Sequence, residues 1–455
     1  MGRENYRMPR TESHSSREPE WVSTVLWWQV YPLGFVGAPI EPDEGGFAQV
    51  HRLKRIEGWL DHLLELGLNG LLLGPVFTSS THGYDTTDYF TIDPRLGDEQ
   101  DLIRLIGAAH ARGIRVMLDG VFNHVGRAHP SFAAVETGGP DTAGADLFRI
   151  RWDGWHPGDP IDADVFEGHT HLVALDHASS AVEELVADVM VHWLDRGIDG
   201  WRLDAAYAIP PEFWARVLPK VRAHHPEAWF LGEVIHGDYA QIVAESTIDA
   251  LTQYELWQGI WHSIADQNLH ELAHAIGRHN KMLATFVPNT YIGNHDVTRI
   301  TTAVGPALLP HSLAILLTIA GTPSLYSGDE YGYEAVKENR QGGDDAIRPE
   351  FPPTPPPQEA LSAAATEAVR VTNALVALRR RHPWVHRSHT DVIDVRNTTI
   401  VLRTAQDSDA LVTALNIGER PATLRAAGAT RVLAGSASVS GSRVRLAASG
   451  WAILG

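Results

Sequence analysis

The stretch Gly200-Trp201-Arg202-Leu203-Asp204-Ala205-Ala206-Tyr207-Ala208 sets a charged pair inside what otherwise reads as an apolar strand. Strand side chains alternate faces with period two, so Arg202 and Asp204 point one way while Trp201 and Leu203 point the other. Two opposite charges on one inward face make either a structural ion pair or part of a reaction centre. The rest of the chain has to decide between them.

Outward from this stretch, short β-rich runs bounded by turn residues recur along the chain. The pattern predicts strands over 26–31, 70–73, 115–118, 200–204, 229–233, 250–254, 291–294 and 324–326. Between them, apolar residues at three-to-four spacing predict helices over 56–66, 101–112, 181–195, 212–222, 239–246, 269–283 and 310–319. Eight strands alternating with helices call for a parallel sheet, and eight is the number that closes a barrel; a doubly wound open sheet is the rival. One connection breaks the rhythm. Residues 123–180 carry few helix signals and many Gly, Pro, Asp, His and aromatic residues, which reads as an inserted subdomain. The expected fold is α/β: a (β/α)8 TIM barrel over 25–122 and 181–384, that insertion after strand 3, and a C-terminal antiparallel β domain over 385–455. A polar tail over 1–24 precedes it, and a helix near 359–381 follows a Pro-rich loop.

Composition narrows the partners. Of 455 residues, 44% are apolar and 20% charged, ordinary for a soluble globular chain with a sizeable core. The net charge of −19 makes nucleic acid an unexpected partner and a neutral or cationic one easier. No run reaches the roughly 18 apolar residues of a membrane span. With no cysteine, disulfides and thiolate chemistry are excluded, which fits a reducing compartment. The opening MGRENYRMPRTESHSSREPE lacks the apolar stretch of a signal peptide, so a cytoplasmic enzyme is the expectation. Fourteen tryptophans suit the C–H faces of sugar rings, though for any single one the core is the better reading.

Reacting groups of such a barrel sit at the carboxyl ends of its strands. LDGVFNH supplies Asp119, Asn123 and His124 there, GWRLD supplies Arg202 and Asp204, and GEV supplies Glu233. NHD supplies His295 and Asp296, and SGDE supplies Asp329 and Glu330. Any one of these acids could be a helix N-cap, the favoured reading for Asp329. Five such ends converging on one mouth point to chemistry. Asp204 and Glu233 end consecutive strands, about 4.8 Å apart in a sheet, which suits the spacing of about 5 Å between the carboxyls of retaining glycosidases. Arg202 is expected to keep Asp204 ionised, as a nucleophile requires. The negative neighbour and the apolar strand are expected to raise Glu233 and leave it protonated, as a general acid requires.

These segments, in this order, resemble glycoside hydrolase family 13, the α-amylase family, from LWWQVYPLGF through the C-terminal β domain. HGYDTTDYFTIDPRLGD is similar to the family's segment after the second strand, and LDGVFNH, GWRLD, GEV and NHD to its four signature regions. The resemblance implies Asp204 as nucleophile, Glu233 as acid/base and Asp296 as the carboxylate that grips sugar hydroxyls. It implies further that Arg202 orients Asp204, that His124 and His295 hydrogen-bond the sugar ring, that Tyr84 stacks beneath it, and that Asp119 supports Arg202. Asp85 is left between a functional and a structural role. GWRLD, then GEVIH leading to IDALTQYELW, is similar to the cyclomaltodextrinase, neopullulanase and maltogenic amylase branch. The implied reaction is retaining hydrolysis of α-1,4 or α-1,6 bonds in small or cyclic α-glucans, cyclic maltosyl-maltose among them.

Three departures from that branch stand out. Only about 25 residues precede the first strand, where the branch carries an N-terminal β domain that builds its dimer, so that mode of dimerisation is in doubt and a homodimer stays open. After Asp204 stand Tyr207 and Ala208 in place of the Lys-His pair of many α-amylases, which makes Tyr207 a candidate for substrate choice. LVALDHASS has Asp176 where asparagine is expected. No cofactor is expected to be required; Ca2+ is a secondary expectation at Asn123 and the acidic insertion, which show no ordered run of ligands. Two other readings remain: a transglycosylase or isomerase of the trehalose synthase kind, and a non-catalytic binding protein, which would have no use for an acid/base pair.

Overall fold

Seven of eight short runs are buried at every position, as strands covered on both faces must be, and they pair in parallel. The eighth, Arg115–Gly120, is buried from Val116 on. We label them β1 (Trp27–Val30), β2 (Gly70–Leu73), β3 (Arg115–Gly120), β4 (Gly200–Leu203), β5 (Trp229–Gly232), β6 (Ala250–Leu251), β7 (Asn289–Tyr291) and β8 (Thr322–Tyr326). The computed structural model describes residues 18–42, 46–340, 342–426 and 430–455. The sheet order is β6-β5-β4-β3-β2-β1-β8-β7, and a parallel bridge between Thr252 and Asn289 joins its two ends into a closed barrel. The open-sheet alternative is thereby excluded.

Period two sorts the strand residues as expected. Trp28, Leu71, Leu73, Leu118, Trp201, Leu203 and Phe230 join the large core shared with the outer helices. Trp27, Leu72, Met117, Trp229, Leu231 and Ala250 form a separate cluster with Val22 and Val25. There the Trp27 and Trp229 rings stack at 6.0 Å, and Trp21 meets both edge-on. The inward face is thus apolar at the amino end of the strands. Two residues further along, the same face becomes Gln29, Asp119, Arg202 and Thr252, all buried. That switch from apolar to polar is where the mouth begins.

Three elements differ from the sequence expectation. The sixth strand stops at Leu251, and the run read as strand to 254 turns into a helix, Tyr254–Ala265. The alternation of Ala250, Leu251, Tyr254 and Leu256 fits either period over so short a window. The seventh strand is Asn289–Tyr291 and not 291–294, because it pairs there with Thr322–Ser324 and the turn-forming Gly293 and Asn294 end it early. Within 123–180 the segment Pro130–Gly138 is helical, begun by a proline in its first turn. The rest of that insertion is built on short antiparallel pairs, His124–Gly126 with Leu172–Ala174 and Ile150–Arg151 with Asp162–Ala163.

The C-terminal domain pairs a five-stranded with a three-stranded antiparallel sheet. His311, on the helix Leu309–Thr318, reaches it through Nε2, 3.2 Å from the carbonyls of Asn416 and Gly450. Of the expected tail, residues 1–17 lie outside the described residues. Glu18 meets His386 and Arg387, each at 2.8 Å, and Glu20–Thr24 forms a 3-10 turn with Val22 fully buried. No helix among the described residues is long and apolar enough to cross a membrane.

Candidate active site

The register of neighbouring strands builds the site. Arg202 lies opposite Asp119 on β3 and Leu231 on β5, and Leu203 lies opposite Gly232, so Asp204 and Glu233 leave their strands side by side. The Glu233 amide donates to the Leu203 carbonyl at 2.9 Å, extending that register by one residue. Arg202 stands beneath the three carboxylates. Its Nη1 donates to both oxygens of Asp119 at 2.7 and 2.6 Å and to Asp204 Oδ1 at 3.1 Å. Its Nη2 is 2.7 Å from Glu233 Oε1.

The chain then turns sharply. Ala205 adopts a left-handed conformation with φ of 44°, which costs an L-residue about 1–2 kcal/mol. That turn aims the Ala205 N–H at Glu233 Oε2, 3.1 Å away. Glu233 Oε1 also accepts from the Tyr254 hydroxyl at 2.9 Å, and Asn294 Nδ2 in turn donates to that hydroxyl at 3.3 Å.

A second chain of contacts runs from β1 to Asp296. Gln29 Nε2 donates to His295 Nδ1 at 3.1 Å, which puts the ring proton on Nε2. That nitrogen faces Asp296 Oδ2 at 3.1 Å and the Tyr84 hydroxyl, and the hydroxyl donates to Asp119 Oδ2 at 3.1 Å. The rings of Tyr84 and Tyr31 lie parallel to that of His295, with centroids at 5.5 and 5.8 Å and planes within 7°. Asp296 also accepts from Arg348 Nη2 at 2.7 Å and stays 31% exposed at its side chain. His124 has Nδ1 on Asn123 at 3.1 Å and Nε2 on the Tyr84 carbonyl at 3.0 Å, and Phe166 from the insertion stacks on it at 4.6 Å. Tyr207 donates through its amide to the Glu233 carbonyl at 3.3 Å and through its hydroxyl to Glu167 at 2.8 Å.

All nine expected residues therefore stand in one connected group: Asp204, Glu233, Asp296, Tyr84, His124, Arg202, His295, Asp119 and Tyr207. Both histidines already have protein partners at each ring nitrogen, so a sugar hydroxyl would share them. Asp85 accepts from the amide and hydroxyl of Thr81 at 3.1 and 2.6 Å, holding a turn. Asp176 likewise caps its own turn through the Ala178 amide at 3.2 Å. Asp329 is buried against Arg299 at 2.9 Å and is no open helix cap. Tyr254, Asn294 and Arg348 were missed. Asn294 adjoins His295 in the NHD run, and Tyr254 follows a strand end once β6 is given its true length. Arg348 comes from the Pro-rich loop, and nothing local marks it.

The electrostatics correct one expectation. Burial, and then the Glu233 charge, push the Asp204 carboxyl well above its ordinary value, with Arg202 pulling the other way. Arg202 serves Asp204, Glu233 and Asp119 together, so it does not by itself keep Asp204 ionised. Burial raises Asp119 to about 6 against the pull of Arg202. Burial works to raise Asp296 too, but the His295 ring and the Arg348 guanidinium outweigh it and hold that carboxyl below the usual range. Burial lowers His295 to about 3 and keeps the ring neutral.

Among the described residues the one set of acid and imidazole ligand atoms close enough to hold an ion is His51, Asp98 and Asp101. Asp98 and Asp101 are occupied there as the capping box of the helix Glu99–His110. Asn123, the expected calcium contributor, turns its amide to His124.

Comparison with known proteins agrees with this geometry. The family described as Alpha amylase, catalytic domain, matches residues 30–351, most of the chain and every carboxylate of the site. The chain belongs to the α-amylase family. A cyclomaltodextrinase of Geobacillus thermopakistaniensis (strain MAS1) is 32% identical over 336 residues, 69% of this chain and 57% of that protein. Neopullulanase 2 of Thermoactinomyces vulgaris is 29% identical over 429 residues, 89% of this chain and 72% of its own. Among solved structures, the cyclic α-maltosyl-(1→6)-maltose hydrolase of Arthrobacter globiformis superposes with a TM-score of 0.80 at 25% identity, covering 96% of this chain and 99% of that one. The matches take in 57%, 57% and 60% of the first three curated relatives, so the chain spans under two thirds of their length.

Proposed function

We propose that the protein is a retaining glycoside hydrolase acting on α-1,4 or α-1,6 bonds in small or cyclic α-glucans. The observation that carries this is the register of β4 and β5, which delivers Asp204 and Glu233 side by side onto one guanidinium. Ends of adjacent strands give a separation near the roughly 5 Å of retaining enzymes, with no room for a water between carboxyl and sugar. Asp204 attacks the anomeric carbon while Glu233 gives its proton to the departing glycosidic oxygen. Glu233 then takes a proton from water, whose oxygen displaces Asp204 and restores the starting state. Arg202 and Asp119 position Asp204, and Asp296, held by Arg348, takes two sugar hydroxyls as charge develops on the ring.

Glu233 must hold a proton for the first step, and three donors now surround it. The arrival of the glycosidic oxygen at Glu233 has to displace at least one of them. Relatives named cyclomaltodextrinase, neopullulanase and cyclic maltosyl-maltose hydrolase support the substrate class. The relative named intracellular maltogenic amylase in Bacillus subtilis (strain 168) supports a cytoplasmic location. The test is proton NMR of the first product from maltotriose, cyclodextrin and panose. An α-anomer formed ahead of mutarotation is expected, and a β-anomer overturns the assignment. Asp204→Ala and Glu233→Gln should each lower turnover by at least about a hundredfold with the fold retained.

A further inference from the structure

The end of the chain runs against the charge of the whole. From Ala410 to Gly455 the one acid is Glu419, against Arg420, Arg425, Arg431, Arg443 and Arg445, in a protein of net charge −19. Within that stretch the strands Ala422–Arg425 and Arg443–Leu446 pair and alternate by period two. Leu424, Val444 and Leu446 enter the core of the C-terminal domain, while Thr423, Arg425, Arg443 and Arg445 stay exposed on the outer face. The antiparallel register sets Arg425 directly opposite Arg443. Like charges so placed oppose the pairing of their own strands.

Ala422–Arg425 is an edge of the three-stranded sheet, and His389–Val395 is an edge of the five-stranded one. Beside them opens a cleft of about 540 Å³ lined by Asp394, Arg396, Thr423, Arg425, Ser442 and Arg443. Among the described residues, the side chains of Asp394, Arg396, Arg425 and Arg443 have no hydrogen-bond or ion-pair partner. Three guanidiniums thus border one concavity with a single carboxylate for company.

A guanidinium presents a planar fork of N–H donors that matches two oxygens of a phosphoryl group. A phosphate monoester brings close to two negative charges and three acceptor oxygens, enough to engage three guanidiniums, where a carboxylate brings one charge and two oxygens. The cleft is of the size that holds a small organic molecule, and a bare phosphate would leave most of it unused. Asp394 repels a phosphoryl group and accepts from hydroxyls, so it suits the organic body of the ligand. Among the described residues no aromatic ring lines the cleft, so neither a base nor an uncharged sugar finds a stacking face there. We propose that this cleft binds a small phosphate ester. Arg396, Arg425 and Arg443 take the phosphoryl oxygens, and Asp394, Thr423 and Ser442 take hydroxyls of the ester's body. The site stands independently of the glycosidase reading, since it shares no residue with the carboxylate group.

The test is calorimetric titration of the full chain, at matched ionic strength, with glucose 6-phosphate and with inorganic phosphate. Glucose 6-phosphate should bind more tightly than inorganic phosphate. Arg425→Gln and Arg443→Gln should each weaken it by about tenfold or more. Arg381→Gln removes the same charge from an exposed position at the end of the helix Ala363–Arg381 and should leave it unchanged. Arg443→Gln also lifts the opposition to Arg425, so in phosphate-free buffer it should melt no lower than wild type. A lower melt overturns the reading of that pair as opposed. No binding of either phosphate, binding that survives both cleft variants, or equal losses in all three variants overturns the site. Equal affinity for the two phosphates overturns the roles given to Asp394, Thr423 and Ser442.

Discussion

Replacing Arg202 by methionine removes the cation that touches Asp119, Asp204 and Glu233, while keeping an unbranched apolar stem. At an effective dielectric of about 20, unit charges about 3 Å apart attract by about 5 kcal/mol. Given wholly to one carboxylate, that is about 4 pKa units. Here three mutually repelling carboxylates share it, so an upward move of about one to two units is expected for the group that must ionise. Losing a positive neighbour disfavours the charged form, so the acid limb of kcat/KM moves to higher pH. The assay is a pH profile on an aryl α-glucoside, with circular dichroism to confirm the fold. A thermal melt should also show destabilisation of about 3–5 kcal/mol from stranded buried charge. Arg202→Lys keeps a cation and should move the limb less, which covers the case where the methionine variant unfolds. An acid limb unmoved in a folded Arg202→Met protein would refute the account of Arg202 as the charge partner of the pair.

Other consequences can be checked as directly. Tyr254→Phe deletes a donor to Glu233 Oε1, worth about 1.5–3 kcal/mol when the acceptor is charged; steady-state kinetics should show a loss of about ten- to a hundredfold. His311 is lowered to about 4 by burial against about 6.5 unfolded, so the unfolded chain takes up its proton first. The stability it supports is present above about 6.5 and is lost as pH falls towards 4. Calorimetric melts of wild type should therefore slope more steeply over that window than those of His311→Gln. Asp329→Ala leaves Arg299 buried without its partner, and chemical denaturation should report a loss of about 3–5 kcal/mol. Glu167→Gln weakens the contact that ties the insertion to Tyr207, and limited proteolysis within 144–171 should quicken while the barrel stays resistant.

Most of the barrel was legible because its strands are short apolar runs whose period leaves few choices. GWRLD could be read to the level of which side chains face in, and the structure places Trp201 and Leu203 outside and Arg202 inside. Reading failed where period and length were both ambiguous, as in IDALTQYELW, whose strand is two residues long and whose helix begins at Tyr254. The same error hid Tyr254 from the site. Arg348 was hidden for another reason: its partner Asp296 lies 52 positions away, and a basic residue in a Pro-rich loop has no local signature. The charge of Asp204 was misjudged because sequence spacing shows one partner for Arg202, whereas three strands supply it with three.

The bridge that closes the barrel bears on how the molecule moves. Where β1 and β2 pair over four residues, β6 meets β7 through Thr252 and Asn289 alone, and the Gln253 amide donates to the Asn289 carbonyl at 2.9 Å. A seam with so few rungs is the cheapest place for the wall to part. Amide deuteration should accordingly run faster at Gln253 than along the four-residue pairing of β1 with β2. Tyr254 is the next residue along. The hydroxyl that donates to Glu233 thus stands two residues beyond Thr252 of the single bridge, so a parting of the wall there would act on that hydrogen bond.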